Sequence, residues 1–321
     1  MINFRFHVVS IVAVFLALAV GVVFGSTIVD QAIVDQLRAD VENTEEQVAE
    51  TRDLNEQLKS DLDRYRRYVE SDGKYAVEGR LDGDQFVLVV ERGVDDGLVD
   101  AATELLTAAG VEGSSRVWLE ESLVDDEQAE PLAAIVGSSS RDPIVVRAAA
   151  YDAIAQGLAA STASPNDPTT IPQTPPVRDS ILDDLAEGGF VELDDDLDRL
   201  LATPASERRT LVLATTDSKF APFDELAAIA GALDAVGLEV AVGEDFRESD
   251  RVTDDAFDRG GRLADITSGD LSEQVATVDN LDEAQGLISL TIALSDLRDG
   301  VAGHYGFGTG ATRSAPEWSS E

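Results

Sequence analysis

Two histidines, a single methionine at position 1 and no cysteine are all that this 321-residue chain offers as soft metal ligands or strong nucleophiles. That inventory excludes disulfides, thiolate metal sites and a cysteine nucleophile. No H-E-x-x-H, C-x-x-C or G-x-S-x-G occurs, so metalloprotease, dithiol and nucleophile-elbow chemistry lack their residues. His304 lies in the stretch Gly303-His-Tyr-Gly-Phe-Gly-Thr-Gly310. This glycine spacing follows a helical pattern instead of opening one after a strand, so it reads as a docking or flexible tail and not as a phosphate loop. His304 is the one weak candidate for a metal ligand, because a lone imidazole does not close a coordination shell. His7 stands at the mouth of an apolar run and reads as an interfacial residue. Asp194-Asp195-Asp196 with Asp198, and Asp125-Asp126-Glu127, are of a type that attracts hard cations such as Ca²⁺. Neither has the glycine and terminal glutamate of an EF-hand loop, so both read as solvated faces. No carboxylate pair stands out as acid and base, and the expectation is a non-enzyme without a resident cofactor.

The elements around these residues are better marked. Val8 to Val29 carries no charged side chain. As a helix it spans about 33 Å at about 1.5 Å per residue, against a hydrocarbon core of about 30 Å. Arg5 precedes the run, and Asp30 and Asp35 follow it, so the positive-inside rule keeps residues 1–7 in the cytoplasm and sends the rest out across a plasma membrane. A cleaved signal peptide is the competing reading. The run exceeds the usual h-region of about 7–15 residues and no A-x-A site follows, which favours a retained single-pass anchor in contact with lipid. Within it, Ala13, Ala17, Gly21 and Gly25 recur every four residues, a small-residue stripe that lets two membrane helices approach.

Residues 30–70 hold no proline or glycine, and a heptad frame fits them. Val34, Val41, Val48, Asn55, Leu62 and Val69 fall at a; Leu37, Thr44, Thr51, Leu58 and Tyr65 fall at d. β-Branched residues at a favour two strands, and one asparagine at a sets a parallel register. The threonines weaken the seam, and flanking charges are mixed: Asp61 can reach Arg66 of a partner helix, whereas Asp40 meets Glu45. The expectation is a parallel coiled-coil homodimer, with a lone amphipathic helix packed on the following domain as the alternative.

Beyond residue 70 strands and helices alternate. Strands are expected at Gln85–Glu91, Ser115–Glu120, Gly189–Leu193, Thr210–Thr215 and Leu238–Val242, and helices at Asp95–Ala109, Ile144–Ala160, Ile181–Glu187, Pro222–Val236 and Leu281–Leu297. This predicts a Rossmann-like α/β domain with a largely parallel sheet, in parts 71–160 and 179–300. The Pro- and Thr-rich stretch 161–178 either divides two lobes or decorates one, and 301–321 forms the Gly-rich tail. Acidic residues outnumber basic ones 63 to 24, a formal charge of −39 that excludes nucleic acid as a partner and keeps the domain soluble.

The start, Ile2-Asn3-Phe4-Arg5-Phe6-His7-Val8-Val9-Ser10 running on to Phe24-Gly25, resembles that of the actinobacterial MctB family, named for copper transport. The far end agrees in Thr277-Val278-Asp279-Asn280-Leu281-Asp282, Gly286 and Gly303-His304-Tyr305-Gly306. The resemblance implies copper transport, efflux or homeostasis at the cell envelope. It also implies envelope scaffolds that act with a second membrane protein in controlling cell separation. The ligand census fits direct copper handling poorly, because Cu(I) prefers thiolates and thioethers.

Overall fold

The computed structural model describes residues 4–160, 177–216, 218–220, 225–245, 262–308 and 310–313, the side chains of 25–34, 66, 68–72 and 177–180 excepted. Two compact units divide the chain, residues 1–65 and 66–321. A single helix, α1, runs Phe4–Val77. It passes through Ser71-Asp72-Gly73, where the heptads stop, and ends ahead of Gly79, whose φ of +72° a side-chain-bearing residue rarely adopts.

In the first unit the polar residues expected at a seam bond along the helix itself. Thr44 and Thr51 donate their hydroxyls to the carbonyls of Asp40 and Gln47, each at 2.7 Å, and the Asn55 amide donates to the Thr51 carbonyl at 2.8 Å. Residues 4–24 form a stretch long and apolar enough to cross a membrane, with mean hydropathy 2.7. Residues 25–29 of the expected span are helical, and their side chains lie outside those described.

The second unit is built on a mixed seven-stranded sheet. Its strands are β1 (Gln85–Glu91), β2 (Gly113–Leu119), β3 (Val191–Leu193), β4 (Arg208–Thr215), β5 (Glu239–Asp245), β6 (Ala276–Val278) and β7 (His304–Tyr305), in the order β3-β2-β1-β4-β5-β6-β7. All neighbours pair in parallel except β2 and β3. Strands from both sides of the Pro-rich stretch share this sheet; residues 161–176 themselves lie outside the description.

The continuous apolar runs follow from burial on both faces. Phe86, Leu88 and Val90 of β1 point to one core with Leu211 and Leu213; Val87 and Val89 point to the other with Val212 and Ala214. One face is covered by α2 (Asp96–Ala108), α9 (Ala284–Arg298) and Val77. The opposite face is covered by α3 (Ala129–Ile135), α4 (Pro143–Ala159), α5 (Val177–Glu187), α7 (Glu225–Ala235) and α8 (Ala264–Ser268), with α6 (Leu197–Leu201) beside β2. Caps start the two best-marked helices: Asp95 accepts from the Gly97 N–H at 2.9 Å, and Asp142 from that of Ile144 at 3.0 Å, ahead of Pro143.

Several boundaries move. Gly189 takes φ +73° in a turn, so β3 begins two residues later than expected. Residues 222–224 of the expected helix lie outside the description. The stretch read as a docking or flexible tail is docked over 301–308 and 310–313, with His304–Tyr305 as an edge strand.

Candidate functional site at the carboxyl edge of the sheet

The chain leaves β1 toward β2 on one side and re-enters at β4 on the other. In open α/β sheets, the crevice outside the carboxyl ends of two such strands is where ligands bind. Here Glu91 ends β1, Thr215 ends β4 and Glu244-Asp245 ends β5. The crevice between β1 and β4 holds the guanidinium of Arg262. Its Nη1 donates to Glu91 Oε2 at 2.6 Å and to the Thr215 carbonyl at 3.1 Å, and its Nη2 donates to Glu91 Oε1 at 2.8 Å. The Arg262 backbone N–H donates to the Glu244 carboxyl at 3.1 Å, and the Ser218 hydroxyl to Glu91 at 3.2 Å. Glu91 and Glu244 are fully buried, and Arg262 nearly so.

Arg262 therefore serves two buried carboxyls, Glu91 through its guanidinium and Glu244 through its backbone N–H. Burial pushes Glu244 up to about 7; the Arg262 N–H and charge oppose this, and the charges of Asp279 and Glu91 reinforce it. Burial also raises Glu91, against the pull of Arg262. For Arg262, burial acts downward, but the bonds and charge of Glu91 outweigh it and hold the guanidinium above its usual value. Arg262 stays cationic because arginine does not lose its proton in proteins. Next to it, Asp95 and Asp96 stand at the start of α2, where a phosphate would otherwise find a positive helix end. Among the described residues the geometry is that of a buried pair filling the switch point, with the Ser218 hydroxyl bonded to its carboxyl.

The weak metal candidate, His304, is engaged at both ring nitrogens. Nε2 lies 3.0 Å from the Ser272 carbonyl and must donate to it; Nδ1 lies 2.9 Å from the Thr277 hydroxyl and accepts in the neutral ring. Burial lowers its pKa, against the Ser272 bond. Among the described residues no group of three or more His, Cys, Asp or Glu is placed to hold a metal ion. The acidic runs have structural partners: Asp194 takes Arg116 Nε at 2.9 Å, Asp196 the Ser115 hydroxyl at 3.0 Å, and Asp126 Arg147 Nη1 at 2.9 Å. Asp125 caps the Glu127 N–H at 2.9 Å.

The residues expected at a dimer seam lie along α1. Leu37, Val41, Val48, Leu58, Leu62 and Tyr65 are each 44–57% exposed. Ala13, Ala17 and Asn55 are exposed, and a Cβ placed on Gly21 would have nothing within 4 Å. The side chains at Gly25, Val34 and Val69 fall outside the description.

The sequence reading missed Glu91, Glu244 and Arg262. A signal existed: the apolar runs Gln85–Glu91 and Glu239–Asp245 both end in acid, which a buried strand tolerates only with a partner. That the partner is Arg262 depends on a contact 171 residues away in sequence.

Taken together, a helix able to span a membrane and a mixed α/β domain with a plugged switch point define the class. The chain belongs to the family described as copper transport outer membrane protein, MctB, which matches residues 1–316. It is 29% identical over 320 residues to the copper transporter MctB of Mycobacterium bovis, covering 97% of this chain and 98% of that protein. The copper transporters MctB of two Mycobacterium tuberculosis strains match with the same identity and coverage. The resemblance legible at the two ends therefore extends over the whole chain.

The two pieces of the far-end motif, residues 277–282 and 303–306, meet in space. β6 pairs with β7 through Thr277 and His304 and through Val278 and Tyr305. The Asp279 carboxylate then accepts the N–H groups of Phe307 and Gly308. Gly306 has φ +128°, and a Cβ there would run into that carboxylate. At Gly286 a Cβ would strike the Asn280 carbonyl. The motif residues therefore fasten one edge of the sheet.

Proposed function

We propose that this protein is a membrane-anchored, copper-related component of the cell envelope, spanning the membrane once through residues 8–29 with residues 1–7 in the cytoplasm. The observation that carries this reading is the family match over residues 1–316 with an apolar helix at its head. The strand order around β1 supports a Rossmann-like domain, and the arginine-filled switch point supports a structural body in place of an enzyme. Two copies join in parallel through the small-residue stripe and the α1 seam, since exposed leucine and valine at heptad spacing favour burial against a second helix.

Copper is cargo or consequence here, not a resident group, and the side chains fit it poorly. There is no cysteine, Met1 is the sole methionine, and both nitrogens of His304 are engaged. A copper phenotype then arises through envelope integrity or a transporting partner. A competition titration of the purified protein against a Cu(I) chelator, with wild type and His304→Ala side by side, tests this. Neither should bind beyond weak acidity-driven association; tight stoichiometric binding that His304→Ala abolishes would overturn the indirect reading. The exposed seam favours a second reading, a scaffold controlling cell separation with a second membrane protein. Copper dose–response and cell chaining, measured together in a deletion strain, separate the two. Protease added to spheroplasts should digest residues beyond about 30 if the topology holds.

A further inference from the structure

Close to the filled switch point, the same edge of the sheet carries an open groove of about 830 Å³, within the range of ligand clefts. Its floor includes Leu98 and Leu105 of α2 and Leu287 and Ile288 of α9. These side chains pack inward on the core and remain partly exposed. Gly73 and Lys74, in the last turns of α1, form the third wall. Carboxylates ring this apolar floor: Asp95 and Glu104 from α2, Asp245 from the end of β5, and Asp282 and Glu283 on the approach to α9. Among the described residues two cations, Arg67 and Lys74, line the groove with those five acids, of which Asp245 is buried, and Lys74 is paired with Glu104.

We propose that this groove docks an amphipathic helix of a partner protein, one with apolar residues on one face and Lys or Arg beside them. A trough walled by helices, apolar below and charged above, is the surface into which such a helix lays its apolar face. The sign of the rim selects among occupants. It repels nucleic acid, anionic lipid and a second copy of a chain whose own formal charge is −39, and it attracts a cationic segment. The inference stands apart from the copper and stalk readings, since it needs neither.

The test uses the full-length protein in nanodiscs of zwitterionic lipid, with empty discs as blank. The probe is a fluorescein-labelled helical peptide of leucine and lysine, with its leucine–glutamate counterpart as control. Saturable binding of the lysine probe alone is expected. Glu104→Lys, which reverses the exposed rim, and Ala101→Arg, which fills the floor, should each weaken binding at least tenfold while circular dichroism stays unchanged. Glu46→Lys, the same charge change on the stalk, should leave it intact. Four results would overturn the proposal: no binding above empty discs, equal binding of the glutamate peptide, equal weakening by Glu46→Lys, or groove variants that change only the mass of the assembly.

Discussion

Apolar side chains meet opposite fates in the two units. Phe86, Leu88, Leu211 and Val242 of the sheet are fully buried, whereas Leu37, Val41, Leu58 and Tyr65 of the long helix each keep more than half of their surface in solvent. Side chains of one chemistry thus complete a core in residues 66–321 and leave a face uncovered in residues 4–65. A helix stripe alone cannot surround itself, but a sheet with helices on both faces can. The α/β unit also accommodates a buried ionic cluster, whereas the apolar stripe of the helix keeps its exposure.

The largest break in that contrast should come from Arg262→Ala. It strands Glu91 and removes a donor to the Thr215 carbonyl, and loss of one partner from a buried pair costs about 3–5 kcal/mol. Urea denaturation followed at the sheet should show that loss; a change under about 1 kcal/mol would mean that water replaces the guanidinium and the plug is not closed.

Next in size is a pH effect. The native pKa of Glu244, about 7, lies above its ordinary 4.5, so its contribution is full below about 4.5 and declines as pH rises through 7. Glu244→Gln should remove that decline, a difference on the order of 3 kcal/mol between the ends of the window. Parallel stability–pH curves for wild type and variant would contradict the assignment.

Gly306→Ala strains a positive φ and pushes a methyl group into Asp279, at about 1–3 kcal/mol. Amide exchange should accelerate at Tyr305 and Phe307 before it does in β1.

His304 acts with the opposite sign to Glu244. Its native pKa is lowered, so its contribution is present above about 6.5 and is lost as pH falls through the lower native value. His304→Gln should flatten the acid limb by about 1 kcal/mol, read from melting curves between pH 7 and pH 5.

The smallest effects on the α/β unit belong to the stalk. Leu58→Asp should shift unfolding of the sheet by less than about 0.5 kcal/mol while abolishing self-association. Asn55→Val should raise the stability of the dimer and loosen its register. Cysteines at Val41 or Leu58 should crosslink to their own counterparts; crosslinks only between unlike positions would make the pairing antiparallel.

Local chemistry made much of this architecture legible. The uncharged run Val8–Val29 announces itself because a membrane solvent demands length and apolarity, both additive along a chain. The strand Gln85–Glu91 was bounded to the residue, and the helix at 96–108 to its caps, because aspartate before a helix and glycine after it act within a few residues. Short elements escaped. β6 and β7 have three and two residues, too few for a period, and exist because neighbouring strands supply their hydrogen bonds. His304 reads as a weak ligand candidate on a docking or flexible tail because sequence shows a side chain but not its partners. The tertiary structure decided that Thr277 and Ser272 take both nitrogens, that Asp279 holds the glycine-rich turn, and that Arg262 crosses to Glu91 to close the switch point. Each depends on residues brought together from 27 to 171 positions apart, and no local propensity encodes such a distance.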